Sequence, residues 1–226
     1  MATPSCAVLV SGGLDSAVLL VERTASHSTV YPLFVESGFP WEATELWHLR
    51  RFLDAIHLPA SAVQPLHVLS LPVTDLYGDH WSLSGQNVPD AGSPDSAVFL
   101  PGRNVLLLAK AMLWGHLHAV PAVALAVLAA NPFPDATPAF FAAYAAAVNQ
   151  AVAGSVQVLR PFAGMKKVDV IRHGRQLPLQ LTFSCLQPQG DKHCGRCNKC
   201  GERRRAFRDA DVPDPTNYAS ESPCIV

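Results

Sequence analysis

The sequence lacks a surplus of charge of either sign. Its 17 Lys and Arg residues nearly balance 18 Asp and Glu residues, which leaves a formal net charge of −1. Proteins that bind nucleic acid usually carry a basic surplus, so we expect no nucleic-acid partner. Hydrophobic residues make up 49% of the 226 residues, which excludes a disordered chain and suffices for one α/β domain with a small appendage.

The sequence also lacks the signals of membrane insertion and export. Its longest apolar run, residues 120–130, contains Pro121 and is about half as long as the ~20 residues that a membrane helix needs. The first five residues contain no basic region of the kind that opens a signal peptide. We therefore expect a cytoplasmic protein with no membrane partner.

What the sequence contains is an alternation of β-rich runs and helical spacings. Buried strands are predicted at 6–10, 29–35, 66–71, 122–129 and 156–159, and helices at 15–24, 41–56, 104–118, 138–152, 166–174 and 198–209. This order predicts an α/β fold with a doubly wound, mostly parallel sheet. Residues 72–97, rich in Gly, Pro, Ser and Asp, have no clear period and predict a long functional or mobile loop.

A glycine turn between the first strand and the first helix predicts a phosphate site. The turn has the sequence Ser11-Gly12-Gly13-Leu14-Asp15-Ser16. Glycines let an anion approach the backbone N–H groups, and the following helix adds positive partial charge. Asp15 beside the anion suits Mg²⁺ held on the phosphates of ATP. The alternative is a plain turn with Asp15 as a helix cap. The sequence has neither a Walker motif nor Gly-x-Gly-x-x-Gly, which argues against a dinucleotide oxidoreductase.

Four of the six cysteines have the spacing of a metal site: Cys185, Cys194, Cys197 and Cys200. Four thiolates predict a closed, structural Zn²⁺ site, while an iron–sulfur cluster and a redox pair remain alternatives. We expect the neighbouring His193 to lie at the surface. Cys6 is predicted to be buried in the first strand, and Cys224 to be incidental.

Three segments together resemble one family. The phosphate-loop string resembles the PP-loop ATP pyrophosphatases, which cleave ATP between the α- and β-phosphates. With residues 99–104 (Phe-Leu-Pro-Gly-Arg-Asn), residues 182–185 (Thr-Phe-Ser-Cys) and the cysteine run that ends in Arg204-Arg205-Ala206-Phe207, the chain resembles the QueC family along nearly its whole length. These are 7-cyano-7-deazaguanine synthases, ATP-dependent carbon–nitrogen ligases of queuosine-precursor synthesis.

The resemblance implies a reaction and its participants. A deazapurine carboxylic acid would be activated by ATP and converted by ammonia, through an amide, to the nitrile. A homodimer, Mg²⁺ with ATP and structural Zn²⁺ are also implied. Residues 1–180 would form the nucleotide-binding α/β domain and residues 181–226 a small zinc-binding helical segment.

Site residues follow from the same resemblance. Asp15, Arg103 and Lys167 would be catalytic, with Arg103 on a phosphate or the substrate carboxylate and Lys167 neutralising the transferred phosphate. Ser11, Gly12, Gly13, Leu14, Asp15 and Ser16 would bind ATP. The alternative for Arg103 is an ordinary first-turn residue capped by Asn104. Asp169 would orient Lys167 or merely charge its helix's first turn.

One segment departs from the family pattern and bears on the substrate. Residues 131–137 (Asn-Pro-Phe-Pro-Asp-Ala-Thr) stand where the family carries Tyr-Pro-Asp-Cys-Arg. Asn131, Phe133 and Asp135 would contact the base, although Phe133 in the core and Asp135 in a turn are equally consistent with the sequence. A QueC-like paralogue that adenylates another carboxylate or modifies another acceptor is therefore an alternative.

The sequence is less consistent with two other function classes. A tRNA-thiolating PP-loop enzyme would need a metal-free cysteine pair and a basic surface. Arg203, Arg204, Arg205 and Arg208 are basic, but Glu202 and Asp209 among them predict a solvated helix face. A non-enzymatic ATP-binding module would need neither Asp15 nor Lys167.

Overall fold

The computed structural model describes residues 4–59, 61–129 and 131–220, so Cys224 lies outside the described residues. Its five strands are β1 (Cys6–Leu9), β2 (Val30–Glu36), β3 (His67–Ser70), β4 (Ala122–Ala124) and β5 (Gln157–Leu159). They form one parallel sheet in the order β3-β2-β1-β4-β5. The prediction of a doubly wound parallel α/β fold is confirmed.

Eight α-helices connect and cover the strands in the described part of the chain. They are α1 (Leu14–Thr24), α2 (Glu42–Ala55), α3 (Thr74–Tyr77), α4 (Trp81–Ser84), α5 (Arg103–Leu117), α6 (Pro138–Val152), α7 (Lys167–His173) and α8 (Asn198–Ala210). None of them is long and apolar enough to cross a membrane.

The sheet separates two apolar cores because alternate residues of β1 point to opposite faces. Cys6 and Val8 pack with α1, α2, α7 and α8, whereas Ala7 and Leu9 pack with α5 and α6. Helix α8, from the predicted C-terminal segment, contributes Phe207 to the first core. The division at residue 180 stays a prediction, and the two parts share a core.

Two predicted elements differ from the structure. The apolar run 122–129 forms strand only at Ala122–Ala124, which pair with β5, whereas residues 125–128 line a cavity. The predicted loop 72–97 contains α3, α4 and a short 3₁₀ turn at 95–98. Its later part is fastened to the start of α8, where Asn198 donates hydrogen bonds to the carbonyls of Pro89 and Ser93 (both 2.8 Å).

The expectation that the α8 arginines form a solvated face is wrong for Arg203. Its side chain is 2% exposed, and it donates hydrogen bonds to Thr182 Oγ1 (2.9 Å), the Leu179 carbonyl (2.9 Å) and Thr216 Oγ1 (2.6 Å). Buried polar groups need such partners, because an unsatisfied one costs free energy. Arg203 therefore joins α8 to the segment that leads into the cysteines.

We predict that Arg203→Ala lowers the free energy of unfolding by roughly 3 kcal/mol, because it leaves buried acceptors without a hydrogen-bond donor. Urea denaturation measures the change. The matched control is Arg208→Ala on the same helix, whose wild-type side chain is 61% exposed, with an expected change within about 0.5 kcal/mol. Equal losses in the two variants would contradict this role of Arg203.

Candidate active site and cysteine cluster

A cavity of about 670 Å³ opens at the carboxyl ends of β1 and β4. The chain runs from β1 to β2 on one side and returns to β4 on the other, so this is the point where the winding of the sheet reverses. Ligands of open α/β sheets bind in such crevices. The phosphate loop, α2, α5, α7 and α8 all contribute to the cavity wall.

The phosphate loop borders this cavity at the start of α1. Ser11, Gly13, Leu14, Asp15 and Ser16 line the cavity, while Gly12 does not. The backbone N–H of Gly13 donates to Ser11 Oγ (3.3 Å), and Ser16 Oγ donates to the Gly13 carbonyl (3.0 Å). The loop is thus shaped by its own hydroxyl groups at the N-terminus of a helix, which is a suitable place for an anion.

Gly12 holds the loop against α2 and the C-terminal segment. Its φ is +77°, and a Cβ there would lie 2.8 Å from the carbonyl oxygen of Glu45. Its own carbonyl accepts a hydrogen bond from the Phe183 N–H (2.7 Å). A side chain at this position would therefore push the loop away from both neighbours.

We predict that Gly12→Ala destabilises the protein by about 1–3 kcal/mol, because positive φ and a backbone contact are both unfavourable for alanine. Gly13→Ala is the control: Gly13 has an extended backbone, and its nearest neighbour is a hydroxyl group. Urea denaturation should show a clearly larger loss for Gly12→Ala. A larger loss for Gly13→Ala would refute the proposed constraint.

Lys167 and Asp15 form an ion pair in the cavity wall. Lys167 Nζ donates to Asp15 Oδ2 at 2.6 Å, and both residues line the cavity. Burial alone would lower the pKa of Lys167, but the charges of Asp15 and then Glu202 outweigh it and raise that pKa. The ammonium group is therefore charged at neutral pH and lies beside the phosphate loop.

Glu202 is a site residue that the sequence did not single out. It lies 3.4 Å from Lys167 Nζ and 2.7 Å from Lys199 Nζ, and it lines the cavity. The adjacent Lys167 charge, opposed by burial, lowers the pKa of Glu202 to about 2. In the sequence Glu202 stands beside a run of arginines, which predicts a solvated helix face. No local spacing indicates that Glu202 contacts α7.

Arg103 begins α5 and also lines the cavity. Its guanidinium lies 5.1 Å from the ring centroid of Phe39, and within the described residues it makes no hydrogen bond or ion pair. The helix cap is Gly102 rather than Asn104, at a φ of +74°. Arg103 thus presents unused donors to the cavity.

The three residues assigned to base contact are placed differently from one another. Asn131 and Phe133 line the cavity, and Phe133 stacks on Phe99 with ring centroids 4.9 Å apart. Asp135 is not part of the cavity wall. Its buried carboxylate accepts a hydrogen bond from the Asn104 N–H (2.9 Å) at the start of α5. Asp135 therefore fixes the helix that carries Arg103.

The residues next to Lys167 have local roles. Asp169 accepts a hydrogen bond from the Lys166 N–H (2.9 Å), so its carboxylate caps α7 rather than contacting Lys167. Lys166 is exposed and also lines the cavity.

The four predicted metal ligands come together at the start of α8. The sulfur atoms of Cys185, Cys194, Cys197 and Cys200 all lie within 4.8 Å of one another, and all four residues are buried. Backbone N–H groups of residues 186, 187, 194, 196 and 197 donate to these sulfurs. Such donors favour thiolates, so the cluster is suited to hold a metal ion.

The expectation of a surface His193 is wrong. It is 2% exposed, it packs on Phe183 with ring centroids 4.4 Å apart, and its Nε2 accepts from the Ser184 N–H (3.3 Å). Burial, followed by the charge of Arg203, lowers the pKa of His193 to about 2. The imidazole is neutral and packs on Phe183, which lies in one apolar cluster with the four cysteines. Cys6 is buried in β1, as predicted.

Known proteins resemble this chain over nearly its full length. A 7-cyano-7-deazaguanine synthase of Methanothrix thermoacetophila is 32% identical over 224 residues, covering 93% of this chain and 96% of that relative. One of Rhizobium johnstonii is 33% identical over 230 residues, covering 95% and 92%. One of Azoarcus sp. is 31% identical over 227 residues, covering 95% and 97%.

Two solved structures share the fold. One is a 4-thiouridine synthetase–RNA complex with bound ATP (TM-score 0.53, 14% identity, 95% of this chain and 47% of that chain). The other is a predicted subunit of tRNA methyltransferase from Methanocaldococcus jannaschii (TM-score 0.52, 12% identity, 96% and 93%). At these identities the likeness concerns the fold alone. The family model described as "Queuosine biosynthesis protein QueC" matches residues 5–211, and the chain belongs to the QueC family.

Proposed function

We propose that this protein is a 7-cyano-7-deazaguanine synthase. It activates the carboxylate of 7-carboxy-7-deazaguanine with ATP and converts it with ammonia, through the amide, to the nitrile. One observation carries the proposal: the cavity of this QueC-family chain joins the phosphate loop, the charged Lys167 and the unpaired Arg103. Adenylation of a carboxylate needs mainly alignment and charge neutralisation, which these groups supply.

The cavity residues have distinct parts in this reaction. The loop from Ser11 to Ser16 binds the phosphates of ATP through its N–H and hydroxyl groups. Lys167 neutralises negative charge on the transferred phosphate, and Glu202 holds Lys167 in place. Arg103 binds the substrate carboxylate, for which its planar fork of donors is suited.

Asp15 also fits a Mg²⁺ ion that accompanies ATP. Its Oδ2 pairs with Lys167, while its Oδ1 is buried without a hydrogen bond in the described residues. An orphaned carboxylate oxygen beside a phosphate site is a suitable ligand for Mg²⁺, which would supply further neutralisation of the phosphates.

The structure supports this reaction over tRNA thiolation. Four of the described cysteines lie in the one buried cluster, and the fifth, Cys6, has its pKa raised to about 11 by burial. A thiol with a high pKa is a poor nucleophile. Arg203 is buried, and Arg204 and Arg205 donate to backbone carbonyls, so α8 does not present a basic strip.

The test is pyrophosphate release with 7-carboxy-7-deazaguanine, ammonium, ATP and MgCl₂, with products identified by mass spectrometry. We expect amide and then nitrile. Lys167→Met should slow pyrophosphate release about 10²–10³-fold, because a preorganised charge at the transferred phosphate is lost. The exposed Lys192→Met is the control and should keep the wild-type rate.

Failure to form amide or nitrile while ATP binds normally would reject the synthase and leave the fold intact. Pyrophosphate release with another carboxylate would instead favour a paralogue, and ATP binding without any turnover would favour a binding module. A wild-type rate in Lys167→Met would remove Lys167 from the mechanism.

We further propose that the cysteine cluster holds structural Zn²⁺ rather than an iron–sulfur cluster. Thiolates about 2.3 Å from one tetrahedral ion lie about 3.8 Å apart. The Cys197 sulfur lies 3.6 Å from that of Cys200 and 4.0 Å from that of Cys185, and the Cys194 and Cys200 sulfurs are 3.9 Å apart. A cluster of several irons needs more space between its ligands.

We predict about one zinc per chain, and no iron, in elemental analysis of the purified protein. Cys197→Ser should lose the metal and unfold at much lower temperature, since metal binding contributes to folding. Cys6→Ala, outside the cluster, should keep it. Stoichiometric iron with visible-range absorption would overturn the zinc assignment.

The homodimer and the cytoplasmic location stay predictions. Helix α6 supports a dimer, because it contains no charged residue and exposes several alanines, and a second copy would cover such a face.

A further inference from the structure

Glu45 is a buried carboxyl group with unused acceptors. It lies on α2, is 8% exposed and lines the cavity. Within the described residues its side chain makes no hydrogen bond and no ion pair. Burying a carboxyl group in this way costs free energy unless a partner compensates it. A ligand that donates hydrogen bonds would be such a partner.

The neighbouring Glu42 shows the opposite arrangement. Its carboxylate accepts hydrogen bonds from the N–H groups of Ser37 (2.9 Å), Gly38 (2.7 Å) and Phe39 (3.1 Å). Glu42 therefore fixes the turn that leads into α2 and has little capacity left for a ligand. One turn later, Glu45 has both oxygens to offer.

The groups around Glu45 suit a planar heterocycle. Trp41 and Trp81 line the same cavity and stack with ring centroids 5.9 Å apart. Arg103 is the cation that acts on Glu45: burial raises the pKa of Glu45 well above its usual range, Arg103 lowers it, and Glu42 raises it further. The carboxyl group of Glu45, an acceptor, thus lies near the guanidinium of Arg103, a donor, in a cavity that also has aromatic side chains.

The position of Glu45 also suits a reacting substrate. Its carbonyl oxygen borders the Cα of Gly12, so this turn of α2 touches the phosphate loop. A base recognised here lies beside the place where ATP phosphates would bind.

We propose that Glu45 is the specificity-determining residue of a base subsite and accepts hydrogen bonds from the ring N–H and 2-amino group of a guanine-type base. The inference rests on the proposed function, because it places the deazaguanine acid in this cavity. Arg103 then lies on the side of the ring carbonyl and the substrate carboxylate, and the stacked Trp41 and Trp81 form the aromatic part of the subsite wall.

The chemistry of the edge explains why Glu45 would select this base. A 2-amino-4-oxopyrimidine ring presents two adjacent donors, which match the two oxygens of a carboxylate. Adenine presents a ring acceptor beside its amino group, so Glu45 would face a lone pair. Glu45 would therefore favour the substrate over the base of ATP.

The test compares binding of 7-carboxy-7-deazaguanine with its analogue that lacks the 2-amino group, by calorimetry without ATP. We expect wild-type protein to prefer the amino compound about 10- to 100-fold, as for hydrogen bonds to a charged group. Glu45→Gln should reduce this preference to less than about threefold, because its amide places a donor against a donor. Asp54→Asn, an exposed change on the same helix, should keep it.

Glu45→Gln keeps the size of the side chain and replaces a buried carboxyl group by an amide, so it should fold, which thermal unfolding checks. No preference in wild type, or an unchanged preference in Glu45→Gln, would overturn the subsite. The nitrile assay separates this result from the proposed reaction. If wild-type protein prefers the 2-amino compound but forms no nitrile, the proposed reaction is rejected and the subsite is kept. If nitrile forms but Glu45→Gln keeps the preference, the subsite is rejected and the reaction is kept.

Discussion

The absence of a side chain at Gly12 brings three parts of the chain into contact. The loop after β1 touches the backbone of α2 at Glu45, and it accepts a hydrogen bond from Phe183 in the segment that enters the cysteine cluster. A larger residue would separate these elements. The phosphate loop, α2 and the segment that enters the cysteine cluster are therefore held at fixed relative positions. The chemistry of the cavity depends on that spacing.

Charge pairing connects α7 and α8 to this arrangement. Lys167 on α7 joins Asp15 on α1 to Glu202 on α8, and Arg203 fastens α8 to residues 179–182. The cysteine cluster lies at the start of the same helix. A structural metal there would hold α8, and through Glu202 it would influence the position of the ammonium group near the phosphates. The cluster is thus connected to the active site without being part of it.

Features carried by contiguous residues could be predicted from the sequence, whereas features that depend on packing between distant segments could not. The phosphate loop and the cysteine spacing are contiguous strings with their own chemistry, so the fold class and these residues could be predicted. Glu45 and Glu202 approach the cavity only after helices from distant parts of the chain have packed. The sequence predicts a solvated face for Arg203 because α8 is rich in charge on all sides, and periodicity cannot show which side of such a helix is buried. Asp135 follows the cavity-lining Asn131 and Phe133 in the sequence, but it supports α5 instead of lining the cavity.

The central claim is that this cavity directs the substrate carboxylate to the α-phosphate of ATP. Substrate with both carboxylate oxygens labelled with ¹⁸O tests it most directly. Each activation leaves one substrate oxygen on AMP, so the account predicts ¹⁸O in AMP from the acid-to-amide step and again from the amide-to-nitrile step. Unlabelled AMP, or ¹⁸O in inorganic phosphate formed together with ADP, would contradict it.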